Sequence, residues 1–125
     1  MTDDSSEATG LTLDKLSDDA LSEVFAVEVA GYYGVLQGIC FSVKPDRNGD
    51  PEQIQECNAD FATSANAVLP WLEKHRARVI YTHIAGWYCC VECACNHVEA
   101  TSKTFARAAC IALIRAARAR KGAGA

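Results

Sequence analysis

Apolar positions along this chain recur with two periods, one near 3.6 residues and one near 2. In "SDDALSEVFAVEVAGYYG", Leu21, Val24 and Phe25 recur at helical spacing. Ser17 stands where a cap is needed, Asp18 and Asp19 occupy the first turn that favours acids, and Gly31 permits a C-terminal turn. These features predict a first helix. The β-branched and aromatic "GVLQGICFSV" predicts a strand over 35–43, weakened by Gly34 and Gly38 and ended by Pro45. Pro, Asp, Asn and Gly gather in "PDRNGDPEQIQ", so 45–55 reads as a surface loop. In "FATSANAVLPWLEKHR", Thr63 or Asp60 can cap a second helix that carries Ala67, Val68, Trp71 and Leu72 on one face. Pro70 removes a hydrogen bond there and pushes against the Asn66 carbonyl, so that helix is kinked or begins its regular part late. "SKTFARAACIALIRAARAR" predicts the third helix: Ser102 caps it, and Ala106, Ala109, Cys110, Leu113 and Ala117 form an apolar stripe. Arg107, Arg115 and Arg118 fall largely away from that stripe, and its many alanines imply a close approach to a sheet.

Between the second and third helices, "RVIYTHIAGWYCCVECAC" reads as a β-hairpin turning at Ala85 and Gly86. Alternation puts Trp87, Cys89, Val91, Cys93 and Cys95 on one face and Tyr88, Cys90, Glu92 and Ala94 on the other. A two-residue loop pairs Ile84 with Trp87, Thr82 with Cys89 and Ile80 with Val91. That register makes one face apolar and gathers Tyr81, His83, Tyr88 and Glu92 on the opposite one. Turn chemistry opposes it, because Ala85 disfavours the positive φ of a type I′ turn. A three-residue loop with Gly86 in a G1 bulge would shift the pairing by one and mix the faces. The segregated register is the expectation, with Ile80, Trp87, Val91 and Leu113 buried together.

A chain of 125 residues, half of them apolar, holds one domain with a continuous core. The expected division is a disordered acidic segment at 1–12, a folded domain at 13–120 and a flexible tail at 121–125. No apolar run spans a bilayer, and "MTDDSSEATG" is acidic where a signal peptide is basic and then apolar, so the expected location is the cytoplasm. Eight acids against Lys15 alone in residues 1–30, and six bases with no acid in 101–125, let the two ends attract each other. The bases sit where a helix C-terminus favours cations, no aromatic residues are interleaved among them, and the net charge is -4. Nucleic acid and membranes are therefore not expected as partners.

Seven cysteines, an odd count in a chain without an export signal, read as free thiols. "WYCCVECACNH" concentrates four of them with His97, which raises the question of zinc. A structural zinc site wants four converging ligands, commonly from two Cys-x-x-Cys knuckles, and only Cys90 and Cys93 are so spaced. A regular strand sends those two to opposite faces. A thioredoxin-type pair would need a helix N-terminus to lower the thiol pKa. The cysteines read as small core residues, with no metal and no cofactor expected. An EF-hand reading of "DRNGD" fails because the twelfth position from Asp46 is Cys57 where a bidentate Glu is required.

Four segments in order, "LSEVFAVEVAGYY", "FATSANAVLPWLEKH", "GWYCCVE" and "EATSKTFARAACIALIRAA", resemble the phage ABA sandwich domain. They match its helix ending in Gly-aromatic, its middle helix start, its tryptophan-bearing strand and its closing acidic-Thr-helix segment. The chain departs from that pattern with Ala62, Thr63 and Ser64 where Ser-Thr-Asp is usual, and with Pro70. The resemblance implies an α+β fold, a small antiparallel sheet of about three strands layered with helices in the order α-β-α-β-β-α. It also implies a phage-encoded protein in a family without an established enzymatic activity. His75, His83 and His97 are scattered, and no phosphate-binding glycine loop or nucleophile elbow is present. The expected role is therefore binding, to a host or defence protein or to a nucleotide-type ligand. The candidate surface joins Tyr81, His83, Tyr88 and Glu92 to Tyr32 or Tyr33 at the end of the first helix. A homo-oligomeric assembly protein of the phage and a zinc module built on the cysteine cluster are the alternatives.

Overall fold

The computed structural model describes residues 13–93 and 96–124. The expectation for residues 1–12 and the alternation at Ala94 and Cys95 lie outside the described residues. A 3₁₀ turn (Leu13–Lys15) precedes α1 (Asp18–Glu28), β1 (Gly34–Leu36), β2 (Ile39–Pro45), β3 (Pro51–Asn58), α2 (Ala65–Lys74), β4 (Arg78–Thr82), β5 (Gly86–Cys93), β6 (Asn96–Ser102) and α3 (Phe105–Gly124). The class is α+β, as the sequence implies, with two antiparallel three-stranded sheets, β1-β2-β3 and β4-β5-β6, in place of one. Among the described residues no helix is long and apolar enough to cross a membrane.

The core is organised around α3. Seven consecutive residues, Ala108, Ala109, Cys110, Ile111, Ala112, Leu113 and Ile114, are buried. A helix apolar on all sides needs cover on all sides. The sheet β4-β5-β6 lies on one flank, and α1 and α2 lie on others. The alanine-rich sequence permits this close approach, and the predicted stripe is only part of what is buried. Thr104, not Ser102, begins the helix: its Oγ1 accepts from the Arg107 N–H at 3.3 Å, while Ser102 pairs with Trp87 as the last residue of β6. The helix continues through Gly124, beyond the 120 at which the sequence reading closes the domain.

The charge asymmetry becomes a set of clamps. Arg107 on α3 donates to Asp18 at 2.7 Å and to the Leu16 carbonyl at 2.9 Å, tying down the start of α1. Arg115 bonds the Glu99 carbonyl at 2.8 Å and approaches Asp14. Arg118 forks onto both oxygens of Glu28 at 2.6 and 2.8 Å, a bidentate geometry suited to guanidinium. These bases hold Asp14, Asp18 and Glu28, at the start and end of the α1 region, against the last helix.

α1 forms as predicted: Ser17 caps it, accepting from Ala20 N–H at 3.1 Å, and Gly31 adopts φ +84° beyond its end. α2 begins at Ala65 under a Ser64 cap, later than Thr63 or Asp60 would place it, and runs through Pro70 to Lys74. Proline at its sixth position costs one intrahelical bond without ending the helix.

The predicted strand at 35–43 is two strands. Gln37 and Gly38 both take positive φ, +54° and +78°, and Leu36 pairs with Ile39, which is a two-residue hairpin of type I′. The predicted loop at 45–55 holds only a tight turn, in which Asp46 Oδ1 accepts from the Asn48 and Asp50 N–H groups at 2.8 and 3.0 Å. Pro45 pairs with Pro51, and β3 continues from there as an exposed edge strand.

The segregated register of the second hairpin is overturned. The loop has three residues, His83–Ala85, and Gly86 takes φ +85°. Thr82 closes it, its Oγ1 accepting from Ala85 N–H at 3.0 Å and donating to the Gly86 carbonyl at 3.1 Å. Trp87 therefore pairs with Tyr81, Tyr88 with Ile80 and Cys89 with Val79. A displaced register moves side chains to the other face. Val79, Trp87, Cys89 and Val91 face α3 and join the core with Leu113, whereas Ile80, expected among them, is 54% exposed on the outer face.

Candidate functional site

The six residues singled out from the sequence stand in three places. Tyr81 and His83 lie at the β4–β5 tip, Tyr88 and Glu92 on the outer face of β5, and Tyr32 and Tyr33 beside β1. The single polar face expected from the two-residue loop does not exist. Tyr81 shares the Trp87 side of the sheet, where its ring meets Trp87 edge-on at 5.2 Å and His83 at 5.9 Å. Trp87 in turn meets Phe105 at 5.3 Å. This aromatic row links the start of α3 to a tip that carries Ile84, 99% exposed.

The outer face of β4-β5-β6 is polar apart from Ile80. Glu99 Oε2 accepts from the Tyr88 hydroxyl at 2.9 Å and lies 3.3 Å from His97 Nε2. Hydrogen bonding to Glu99, foremost, pushes the Tyr88 phenol up to about 12, so it remains a proton donor. Arg78 stands 4.0 Å from Glu92, and both are largely solvated. Charges this exposed hold one another weakly, so the face offers hydrogen bonds more than fixed anchors.

The β1-β2-β3 sheet is arranged differently. Val35 and Cys40 turn toward the body and join its core. Leu36, Ile39, Phe41 and Val43 occupy the other face, with Leu36 57% and Val43 37% exposed. Tyr33, 69% exposed, packs its ring on Phe41 at 5.6 Å, and the Phe41 ring also covers the Cα of Gly34. None of these five apolar residues enters the core. The sequence reading missed this face although its signal was present, since Ile39, Phe41 and Val43 alternate with Cys40, Ser42 and Lys44. A groove of about 650 Å³ lies behind the sheet, between the β1–β2 turn and α1, with Asp19 and Glu23 on its wall.

Among the described residues no group of three or more His, Cys, Asp or Glu converges as metal ligands do. Cys40, Cys89 and Cys110 are buried, and burial raises all three thiols, Cys40 and Cys89 to about 12. Thiols so held stay protonated near neutral pH. Cys57 differs: it is exposed, and its S–H donates to the Tyr32 hydroxyl at 3.4 Å.

No protein-family model and no curated protein matches the chain, so the likeness to the phage ABA sandwich domain rests on the four sequence segments. The fold is similar to that of a crystal structure of a phage protein from Bacillus cereus ATCC 14579. The TM-score is 0.63 over 81% of this chain and 92% of that one, at 10% sequence identity. The match extends over nearly the whole of the other protein, so the overall fold is shared between the two.

Proposed function

We propose that this is a phage-encoded accessory protein that acts by binding a protein partner, without catalysis, and that the outer face of β1-β2-β3 makes the contact. The observation that carries this reading is the row Tyr33, Leu36, Ile39, Phe41 and Val43, apolar, on one face and outside the core. Exposed contiguous apolar surface marks interaction sites. The face of a three-stranded sheet suits a protein better than a nucleotide, which needs a concave site to bury most of its surface. The phage assignment draws on the sequence resemblance and on the fold shared with the Bacillus cereus phage protein. The polar residues Tyr81, His83, Tyr88 and Glu92 become bystanders in this reading.

Two measurements test it. Light scattering over a concentration series establishes the oligomeric state. Capture from a lysate of cells carrying the gene then compares wild type with Leu36→Asp and with Ile80→Asp, a control on the other sheet. A defined protein retained by wild type and Ile80→Asp but lost with Leu36→Asp, at unchanged melting temperature, supports the reading. Equal capture by all three sinks it. Mass that grows with concentration and is abolished by Leu36→Asp transfers the face to a second copy and favours the assembly role.

A further inference from the structure

Cys40 and Cys57 are direct partners across β2 and β3. Opposed residues of antiparallel strands have Cα atoms about 4.5 to 5.5 Å apart, within the roughly 4.4 to 6.8 Å window that a disulfide requires. Both are free thiols, one in the core and one in solvent. The pairing slips immediately beside them: Cys40 faces Cys57 while Phe41 faces Gln55, leaving Glu56 as the extra residue of a bulge. A bulge interrupts the ladder and increases local twist, so this end of the ribbon tolerates adjustment better than a regular ladder does. The other described cysteines are placed differently. Cys89 and Cys110 are both buried, Cys90 opposes Arg78 and Glu99, and Cys93 opposes Asn96.

We propose that Cys40 and Cys57 form a redox modification site, which hydrogen peroxide converts reversibly into a cross-strand disulfide. This inference does not rest on the binding role. Exposure sets the order of events. The Cys57 thiolate attacks one oxygen of the peroxide; an S–O bond forms, the O–O bond breaks, and the departing hydroxide takes a proton to leave as water. Cys40 then attacks the sulfenic sulfur of Cys57; the S–S bond forms, the S–O bond breaks, and the Cys40 proton leaves with the hydroxyl as a second water. Two thiols lose two electrons, and one peroxide is reduced to two waters. Cys40, whose thiol is pushed up to about 12 chiefly by burial, stays protonated and does not compete for the first step. A dithiol reductant reverses the bond by exchange. Oxidation also removes the S–H that Cys57 donates to Tyr32, so the link between the ribbon and the α1–β1 connection changes with redox state.

The test uses the full chain, reduced and then exposed to hydrogen peroxide. The expected result is a mass lower by two hydrogens and, on non-reducing proteolysis, a Cys40–Cys57 cross-linked peptide that dithiothreitol abolishes. Cys57→Ser loses this cross-link. Cys40→Ser leaves a Cys57 sulfenic acid that dimedone captures, an adduct largely absent from wild type. Cross-linking of Cys57 to any other cysteine, or Cys57 oxidised while Cys40 remains alkylatable in unfolded samples, overturns the proposal. The wild-type peptide map decides this even where the buried Cys40→Ser substitution compromises folding.

Discussion

The two sheets share connectivity, three antiparallel strands each in sequence order, yet they differ in what they are packed against. β4-β5-β6 buries Cys89, Val91 and Ala100 against α3, and its outer face is polar apart from Ile80. β1-β2-β3 contributes only Cys40 to the fully buried set, and Leu36, Ile39, Phe41 and Val43 lie on the side away from the core. The same secondary structure therefore serves two ends. One sheet is half of a core, where burial of a face stabilises the fold. The other hangs from α1 through β1 and offers its apolar face outward. Burial is thus concentrated on one sheet while the proposed contact lies on the other, which makes the contrast open to measurement.

The largest expected difference lies in the apolar residues of the two regions. Leu113, 1% exposed between sheet and helices, should cost about 2 to 5 kcal/mol when replaced by Ala, from lost transfer energy and the cavity left behind. Phe41→Ala removes a larger side chain, but one that is partly exposed and outside the core, and should cost about 1 kcal/mol. Urea unfolding of both variants compares them. Equal losses would mean that the first sheet is part of the same cooperative core, and that its apolar face is structural.

The turns sharpen the contrast at a smaller scale. Gly86 and Gly38 both have positive φ, but a Cβ on Gly86 would stand 2.7 Å from the Ser102 carbonyl oxygen, whereas one on Gly38 meets nothing within 4 Å. Gly86→Ala combines strain with a backbone clash between β5 and β6 and should cost about 3 kcal/mol. Gly38→Ala carries only the left-handed penalty, about 1 kcal/mol. A reversal of that order in thermal melts would contradict the packing of the second hairpin against the β6–α3 junction.

What the sequence made legible follows the same division. α1 was readable because its signals are local: Ser17 caps, the acids follow, and Gly31 releases the chain. Alternation along Trp87–Glu92 was readable because one face is buried. β3 was not, since "PEQIQECN" is exposed on both faces and carries no period-two pattern, and its two flanking prolines and turn residues mimic a loop. The hairpin register follows the turn chemistry of Ala85 and Gly86 and not the segregation of faces, and Thr82 supports it by bonding both residues. The candidate polar face falls with that register, and the apolar face on the first sheet is masked in the sequence because the Gln37–Gly38 turn divides a segment whose composition reads as one strand.

The smallest effect concerns pH and belongs to the packed body alone. His75 ends α2, and its Nδ1 lies 3.2 Å from the Arg120 guanidinium of α3, so the neutral ring accepts a hydrogen bond there. Burial, then the charges of Arg120 and Lys74, lower its pKa from the ordinary 6.5. The folded state therefore binds fewer protons than the unfolded chain wherever the unfolded imidazole titrates. Its contribution to stability is fully present above about 6.5, where both states are neutral, and is lost as pH falls through the lowered folded pKa. His75→Gln keeps an acceptor and removes the titration, so its melting temperature should fall less between about pH 7 and pH 5 than that of wild type. Because every other titrating group is common to both proteins, the difference between the two slopes isolates His75. Parallel slopes would mean that the imidazole is solvated as it is in the unfolded chain, and that the contact with Arg120 does not fix the α2–α3 junction.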